Sequence, residues 1–119
     1  MATIAFTNYS PKPVASRGYR WNLLTTTDAD GAGVGSVGSG DRTVQVTGTF
    51  GVAGTIIFEG SLEQVPVNWF PLRDPTSTAI SFTAAGGRSV LENVLWIRPR
   101  VTGGDGTTSL DVRLLLRDA

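Results

Sequence analysis

An alternating pattern near the carboxyl end of the chain constrains its fold more than any other feature. From Val94 to Val101, and again from Ser109 to Arg117, apolar residues alternate with polar or charged ones, and a glycine-rich turn separates the two runs. Strict alternation puts the apolar residues on one face and is typical of a half-buried antiparallel sheet. We therefore predict a β-hairpin whose outer face carries Trp96, Arg98 and Arg100.

The composition narrows the classes of function. The chain has 119 residues with equal numbers of acidic and basic side chains, and it contains no histidine and no cysteine. The missing histidine removes the commonest general base and metal ligand, and the missing cysteine excludes disulfides and thiolate chemistry. Zero net charge predicts neither a nucleic acid nor a membrane as partner, and it leaves little repulsion between copies.

The length predicts one domain. The start of the chain lacks the pattern of a signal peptide, and no apolar run approaches the length of a membrane span. We therefore expect synthesis and folding in a cytoplasm.

Residues 1–20 have the pattern of an extended arm. Ile4 and Phe6 alternate with polar residues, and two prolines follow Tyr9 and break any helix. We predict an N-terminal arm over 1–20 and a β-sandwich domain over 21–119. The arm either frays in solution or reaches across to a partner, and the residues leave both readings open.

The first half of the domain contains three strand patterns. One covers Tyr19 to Thr26, with Tyr19, Trp21 and Leu23 on one face. After a glycine-rich loop over 27–41, the segments 42–50 and 55–59 flank a turn and predict a second hairpin.

Shorter patterns fill the segment before the last two strands. Val65 to Leu72 is extended, with prolines that suit an edge position, and Ala79 to Thr83 is a short strand. The only candidate helix is one or two turns around 89–92. Turns at intervals of about 8–12 residues predict an all-β chain, an antiparallel β-sandwich that is jelly-roll-like. The predicted core consists of Val44, Val46, Phe50, Ile56, Phe58, Ile80, Phe82, Leu95, Ile97, Val101, Leu110, Val112, Leu114 and Leu116.

No constellation of residues predicts catalysis or a metal site. The run 28–31 resembles the start of a calcium loop, but Ser39 stands where that loop needs a glutamate. Asp105-Gly106 is explained by a tight turn. The three glutamates are scattered, and the strand pattern does not bring two of them to one cleft as glycoside hydrolysis would require: Glu59, Glu63 and Glu92. We therefore predict no catalytic residue, no metal and no cofactor.

Tryptophans and arginines are the residues with the clearest potential for binding. Exposed indole rings stack on sugars, whereas buried ones are core or interface packing, and Trp69 beside Phe70 is the best candidate for an exposed platform. Arg98 and Arg100 can clamp the carboxylates of a partner. In the alternative reading they are solvated strand residues that balance Asp111 across the hairpin.

Five stretches of the sequence resemble a known group of proteins. They include the words VTGTFG at 46–51 and RPRVTGGDGT at 98–107. Together with 54–61, 68–75 and 80–86, these stretches look like small structural proteins encoded near the head genes of tailed bacteriophages. The resemblance covers about residues 20–117, although the segment Ser61 to Pro66 departs from the turn of related sequences.

The resemblance implies a virion component, a capsid decoration or cement protein with a jelly-roll-like fold that binds the major capsid protein. It brings no catalytic residues. Because capsid sites lie on symmetry axes, we expect a homo-oligomer, a dimer or a trimer, at the capsid surface. The alternative is a carbohydrate-binding β-sandwich module of a tail or fibre. The predicted protein-interface residues are Ile4, Phe6, Tyr9, Trp69, Arg98 and Arg100, and an exposed Trp69 would favour the carbohydrate-binding alternative.

Overall fold

The computed structural model describes residues 3–9, 16–36 and 39–118, without the side chains of Tyr9, Ser16, Ser39 and Asp118. All regular secondary structure in these residues is β-strand, which confirms the all-β prediction. The strands are β1 (Phe6–Tyr9), β2 (Ser16–Leu24), β3 (Val34–Gly35), β4 (Ser39–Thr49), β5 (Thr55–Ser61), β6 (Phe70–Pro71), β7 (Ser81–Phe82), β8 (Gly86–Ser89), β9 (Trp96–Gly103) and β10 (Ser109–Asp118).

The strands form two antiparallel sheets that share one core. The first sheet has the order β1-β2-β10-β4-β8, and the second has the order β3-β9-β5-β6, with β7 also paired to β5. Buried apolar residues from both sheets belong to a single cluster, as a β-sandwich requires. Residues 89–92, predicted as a helical turn, are not helical. Their N–H groups bond elsewhere, from Val90 to the Arg42 carbonyl and from Leu91 to the Arg73 carbonyl.

Both predicted hairpins are wrong. Strands β9 and β10 belong to different sheets, and so do β4 and β5. Each edge of β10 is occupied by β2 or β4, and each edge of β9 by β3 or β5, so the short connections cross from one sheet to the other. The two crossing turns meet, because the Asp105 carboxylate accepts a hydrogen bond from the Val52 N–H at 2.9 Å.

The predicted burial of the strands is largely correct. Ile56 and Phe58 are fully buried, and Leu110, Val112, Leu114 and Leu116 line the inner face of β10. Two of the predicted core residues, Phe50 and Leu95, are only half-buried.

Leu23, which the alternation placed on the same face as Trp21, is 61% exposed. The register between β2 and β10 shifts there, since Val112 pairs with Trp21 but Leu110 pairs with Leu24. Asn22 and Leu23 thus oppose Asp111 alone, a β-bulge that turns Leu24 inward.

Part of the predicted N-terminal arm is a strand of the first sheet. Residues 6–9 pair with β2, from Phe6 opposite Trp21 to Tyr9 opposite Gly18. Ile4 forms a parallel bridge with Gly31, next to the edge of the second sheet. Strand β2 runs without interruption through residue 20, the predicted end of the arm. Residues 10–15 of that arm lie outside the described residues.

Candidate interaction surface

The outer face of the second sheet brings together three of the six predicted interface residues. Alternation along β9 turns Arg98 and Arg100 outward while Ile97 and Val101 face the core. The register of β5 and β9 places Glu59 opposite Arg98. Trp69, the residue immediately before β6, lies against Arg98. We name Asp30, Glu59, Trp69, Arg98 and Arg100 the Arg98 cluster.

Arg98 is held from two sides. Its Nε and Nη2 donate to Oε1 of Glu59 at 3.0 and 2.8 Å. Its guanidinium carbon lies 4.2 Å from the centroid of the Trp69 ring, within the range of a cation–π contact. The Glu59 side chain is only 8% exposed. A carboxylate so deeply placed requires a charged partner, and Arg98 supplies it.

Arg100 makes looser contacts with two carboxylates. Its Nε lies 3.5 Å from Oδ1 of Asp30, and its Nη1 lies 3.6 Å from Oε2 of Glu59. Half of its side chain, 48%, is open to solvent. The cluster therefore holds two cations and two anions and is neutral. Asp111, the expected partner of these arginines, lies in the other sheet, where it binds Arg20 at 2.6 Å.

The packing of Trp69 depends on Gly33. A Cβ atom at residue 33 would lie 2.8 Å from Cη2 of the Trp69 ring, closer than real contacts allow. Trp69 is half-buried, with one face covered by the Arg98 guanidinium. It is therefore not the open aromatic platform that the sequence suggested. Of the other tryptophans, Trp21 is fully buried and Trp96 is half-buried.

The chain between β5 and β6 forms an ordered loop beside this cluster. We call residues 62–69 the β5–β6 loop. The Glu63 carboxylate accepts hydrogen bonds from the N–H groups of Val67 at 2.8 Å and Asn68 at 2.6 Å, and from the Asn68 side-chain amide at 3.0 Å. The Trp96 indole N–H donates to the Glu63 carbonyl at 2.9 Å. The hydrogen bonds from Asn68 and Val67 hold the pKa of the Glu63 carboxyl below its usual range.

The β5–β6 loop presents aliphatic side chains to solvent. Leu62, Val65 and Val67 are 62%, 78% and 74% exposed. Next to the loop is a shallow apolar pocket of about 350 Å³, lined by Gly35, Gln64, Leu95 and Trp96. This surface was not among those predicted from the sequence. Its signal is three aliphatic residues within six positions, in a segment where Pro66 argues against a central strand.

The remaining predicted interface residues lie on the N-terminal segment. Phe6 is half-buried against Tyr19, with ring centroids 5.2 Å apart. The N–H of Ile4 donates to the carbonyl of Asp30, whose carboxylate faces Arg100, so Ile4 adjoins the Arg98 cluster. The backbone of Tyr9 pairs with Gly18, but its side chain lies outside the described residues. Whether these six residues form an interface stays a prediction.

The described residues were compared with two further kinds of site, a metal site and a membrane-spanning helix. Within 3–9, 16–36 and 39–118, no group of three or more acidic residues is placed to hold a metal ion. No helix long and apolar enough to cross a membrane occurs in this part of the chain.

Comparison with protein-family models, with curated proteins and with solved structures gave no match for this chain. The function of this chain is therefore inferred from its residues and from the surface that they form.

Proposed function

We propose that this chain is a structural virion protein of a tailed phage, a capsid decoration or cement protein that bridges major capsid proteins on the mature head. The sequence resemblance implies that the partner is a major capsid protein. The surface supplies a means of binding it: aliphatic side chains on an ordered loop, beside a neutral cluster of charged and aromatic residues. We also propose that the protein is not an enzyme.

The strand order supports a jelly roll as the finer description of the fold. In the first sheet β2-β10-β4-β8 are neighbours, and in the second β3-β9-β5-β6. Early strands thus alternate with late ones in both sheets, as in a ribbon folded back on itself and rolled up. Jelly rolls occur in viral capsid proteins and in lectins, so this likeness of fold is compatible with a virion role but does not choose it.

The observation that carries the proposal is the order imposed on the β5–β6 loop. A partner that covers exposed aliphatic side chains removes apolar surface from water, which lowers the free energy of the complex. The Glu63 carboxylate already fixes the backbone that presents Val65 and Val67. A loop fixed before binding loses little conformational entropy in the complex. This combination favours a protein surface as partner.

A protein with such a loop would stabilise the capsid if the loop binds only the assembled shell. A protein that binds the assembled shell and not its separate parts stabilises the shell by mass action. Many symmetric copies then multiply modest contacts through avidity. The alternative, a carbohydrate-binding module of a tail or fibre, is not favoured because the Arg98 guanidinium occupies one face of Trp69.

The test is co-sedimentation of the purified protein with mature phage heads that lack decoration. Unexpanded proheads and purified tails serve as controls. The proposal predicts saturable binding to mature heads alone. Binding to tails, or to none of the three particles, contradicts it.

A further inference from the structure

Strand β8 is an open edge of the first sheet. It follows β4 at the end of the strand order, and all four of its residues are exposed. Among the described residues, β8 pairs with β4 and with no other strand. An open edge carries N–H and C=O groups that only another extended backbone can pair in register.

The register identifies the groups that face outward. Ser89 lies opposite Thr43, and Arg88 opposite Val44. One step further, the Val90 N–H donates to the Arg42 carbonyl at 2.9 Å. Hydrogen-bonded and non-hydrogen-bonded pairs alternate along an antiparallel ladder, so the groups of Arg88 also face β4. The N–H and C=O groups of Gly87 and Ser89 therefore point away from the sheet.

Strand β8 contains no proline, and its one charged side chain is paired. Strand β6, at the edge of the second sheet, contains Pro71, whereas β8 begins with two glycines, which place no side chain beside the edge. The Arg88 guanidinium is bound within its own chain, 2.9 Å from the Asp74 carboxylate and 5.8 Å from the centroid of the Phe82 ring. Proline and unpaired charged side chains commonly prevent an edge strand from pairing with another chain, and β8 has neither.

We propose that β8 pairs antiparallel with β8 of a second copy, across a two-fold axis at Gly87, so that the first sheets of two copies become one continuous sheet. A two-fold axis satisfies the same open edge on both chains at once, which an unrelated peptide does not. With the axis at Gly87, each Arg88 faces Gly86 of the second copy, and no like charges oppose each other. Zero net charge on the chain adds no long-range repulsion. The proposal does not depend on the proposed capsid function.

The first test is sedimentation equilibrium of the wild type and of Gly87→Lys. A Cβ at residue 87 lies 3.3 Å from the Val44 carbonyl oxygen, a tight fit that a small shift relieves, whereas at Gly106 it meets nothing within 4 Å. Gly106→Lys is therefore the control with the same composition and charge. We expect the wild type and the control to be dimers. The dissociation constant of the Gly87→Lys dimer should be at least about tenfold higher, because the two introduced lysines face each other across the axis. A monomeric wild type, or equal dimerisation of all three chains, overturns the proposal.

A second variant tests the pairing without adding a charge. The chain contains no cysteine, so Gly87→Cys introduces a single thiol. Hydrogen-bonded antiparallel partners have Cα atoms about 5.5 Å apart, within reach of a disulfide. After mild oxidation at the same concentration, the two variants are compared under denaturing conditions. Gly87→Cys should then run as a covalent dimer and Gly106→Cys as a monomer. Equal cross-linking of both variants contradicts the predicted axis.

Discussion

The guanidinium of Arg98 lies over the ring of Trp69, 4.2 Å from its centroid, and binds the buried carboxylate of Glu59 on its other side. One side chain thus connects the β5–β6 loop to the outer face of the second sheet. Because Trp69 ends the loop, the position of the loop depends on an ion pair between two neighbouring strands.

Removing Arg98 should destabilise the fold. Loss of one member of a buried ion pair costs about 3–5 kcal/mol, because the other charge stays buried without its partner. Arg100 remains 3.6 Å from Glu59, so we expect Arg98→Met to lower the free energy of unfolding by about 3 kcal/mol, the low end of that range. Urea denaturation measures the change. The double variant Arg98→Met/Glu59→Gln should lose less than the sum of the two single variants, and strict additivity would count against the pair.

Replacing Leu23 should stabilise the protein. Its φ of 61° is left-handed, and its side chain is 61% exposed, so the residue gains little from burial. A non-glycine residue in this conformation costs about 1–2 kcal/mol, which asparagine tolerates better. We expect Leu23→Asn to raise the free energy of unfolding by about 1 kcal/mol. The neighbouring Leu24 is fully buried, and Leu24→Ala should lower it by about 2–5 kcal/mol. The reverse order of the two variants in thermal denaturation would refute the bulge.

Asp105 should make the stability depend on pH in the acid range. Its carboxylate accepts hydrogen bonds from the Thr107 hydroxyl and from the N–H groups of Val52 and Thr107, which lower its pKa from 3.8 to about 2. The folded state therefore binds fewer protons than the unfolded state between these values. The stabilisation is complete above the unfolded pKa and is lost as pH falls through the folded pKa.

Asp105→Asn should remove this component. Urea denaturation at several values from pH 6 to pH 2 is the measurement. The difference in unfolding free energy between wild type and variant should be constant near pH 6 and shrink as pH falls toward 2. A difference that does not change with pH would mean that Asp105 acts without its charge.

Glu63 should matter more for binding than for the fold. Its carboxylate fixes the β5–β6 loop, which lies at the surface. We expect Glu63→Ala to keep the sheets intact but to weaken binding to mature heads by up to about tenfold, because the loop must then be ordered on binding. Glu92→Ala, which removes a carboxylate bound to Arg73 and not to the loop, is the control. Equal binding of the two variants would show that the Glu63 carboxylate does not contribute to binding.

The sequence predicts the buried faces of the strands better than it predicts their partners. Alternation in β4, β9 and β10 reports which residues face the core, and Val44, Ile97 and Val112 do so. Alternation contains no information about which strand lies alongside. Consecutive strands with a short connection were therefore predicted as hairpins, although both connections cross between the sheets. The bulge at Leu23 escapes the pattern for a related reason, because one extra residue reverses the phase.

Part of the candidate surface was also accessible from the sequence. Trp69, Arg98 and Arg100 were identified by residue type and phase, and the fold brings them together. Their partners Glu59 and Asp30 could not be identified in this way. Glu59 lies on β5 and Asp30 in the connection between β2 and β3, and the sequence does not reveal how either is placed against β9. The exposed valines of the β5–β6 loop were missed because aliphatic residues in an extended segment are ordinarily assigned to a core.

The decisive measurement is whether the β5–β6 loop is needed for binding to mature heads. Co-sedimentation should compare the wild type with Val65→Lys/Val67→Lys and with Val52→Lys. Val52 is equally exposed, at 76%, but lies in the turn at the opposite end of β5, about 20 Å away at the usual rise per residue. We expect saturable binding of the wild type and of Val52→Lys, and loss of binding by the double variant. Full binding of the double variant, or no binding of the wild type, would contradict it.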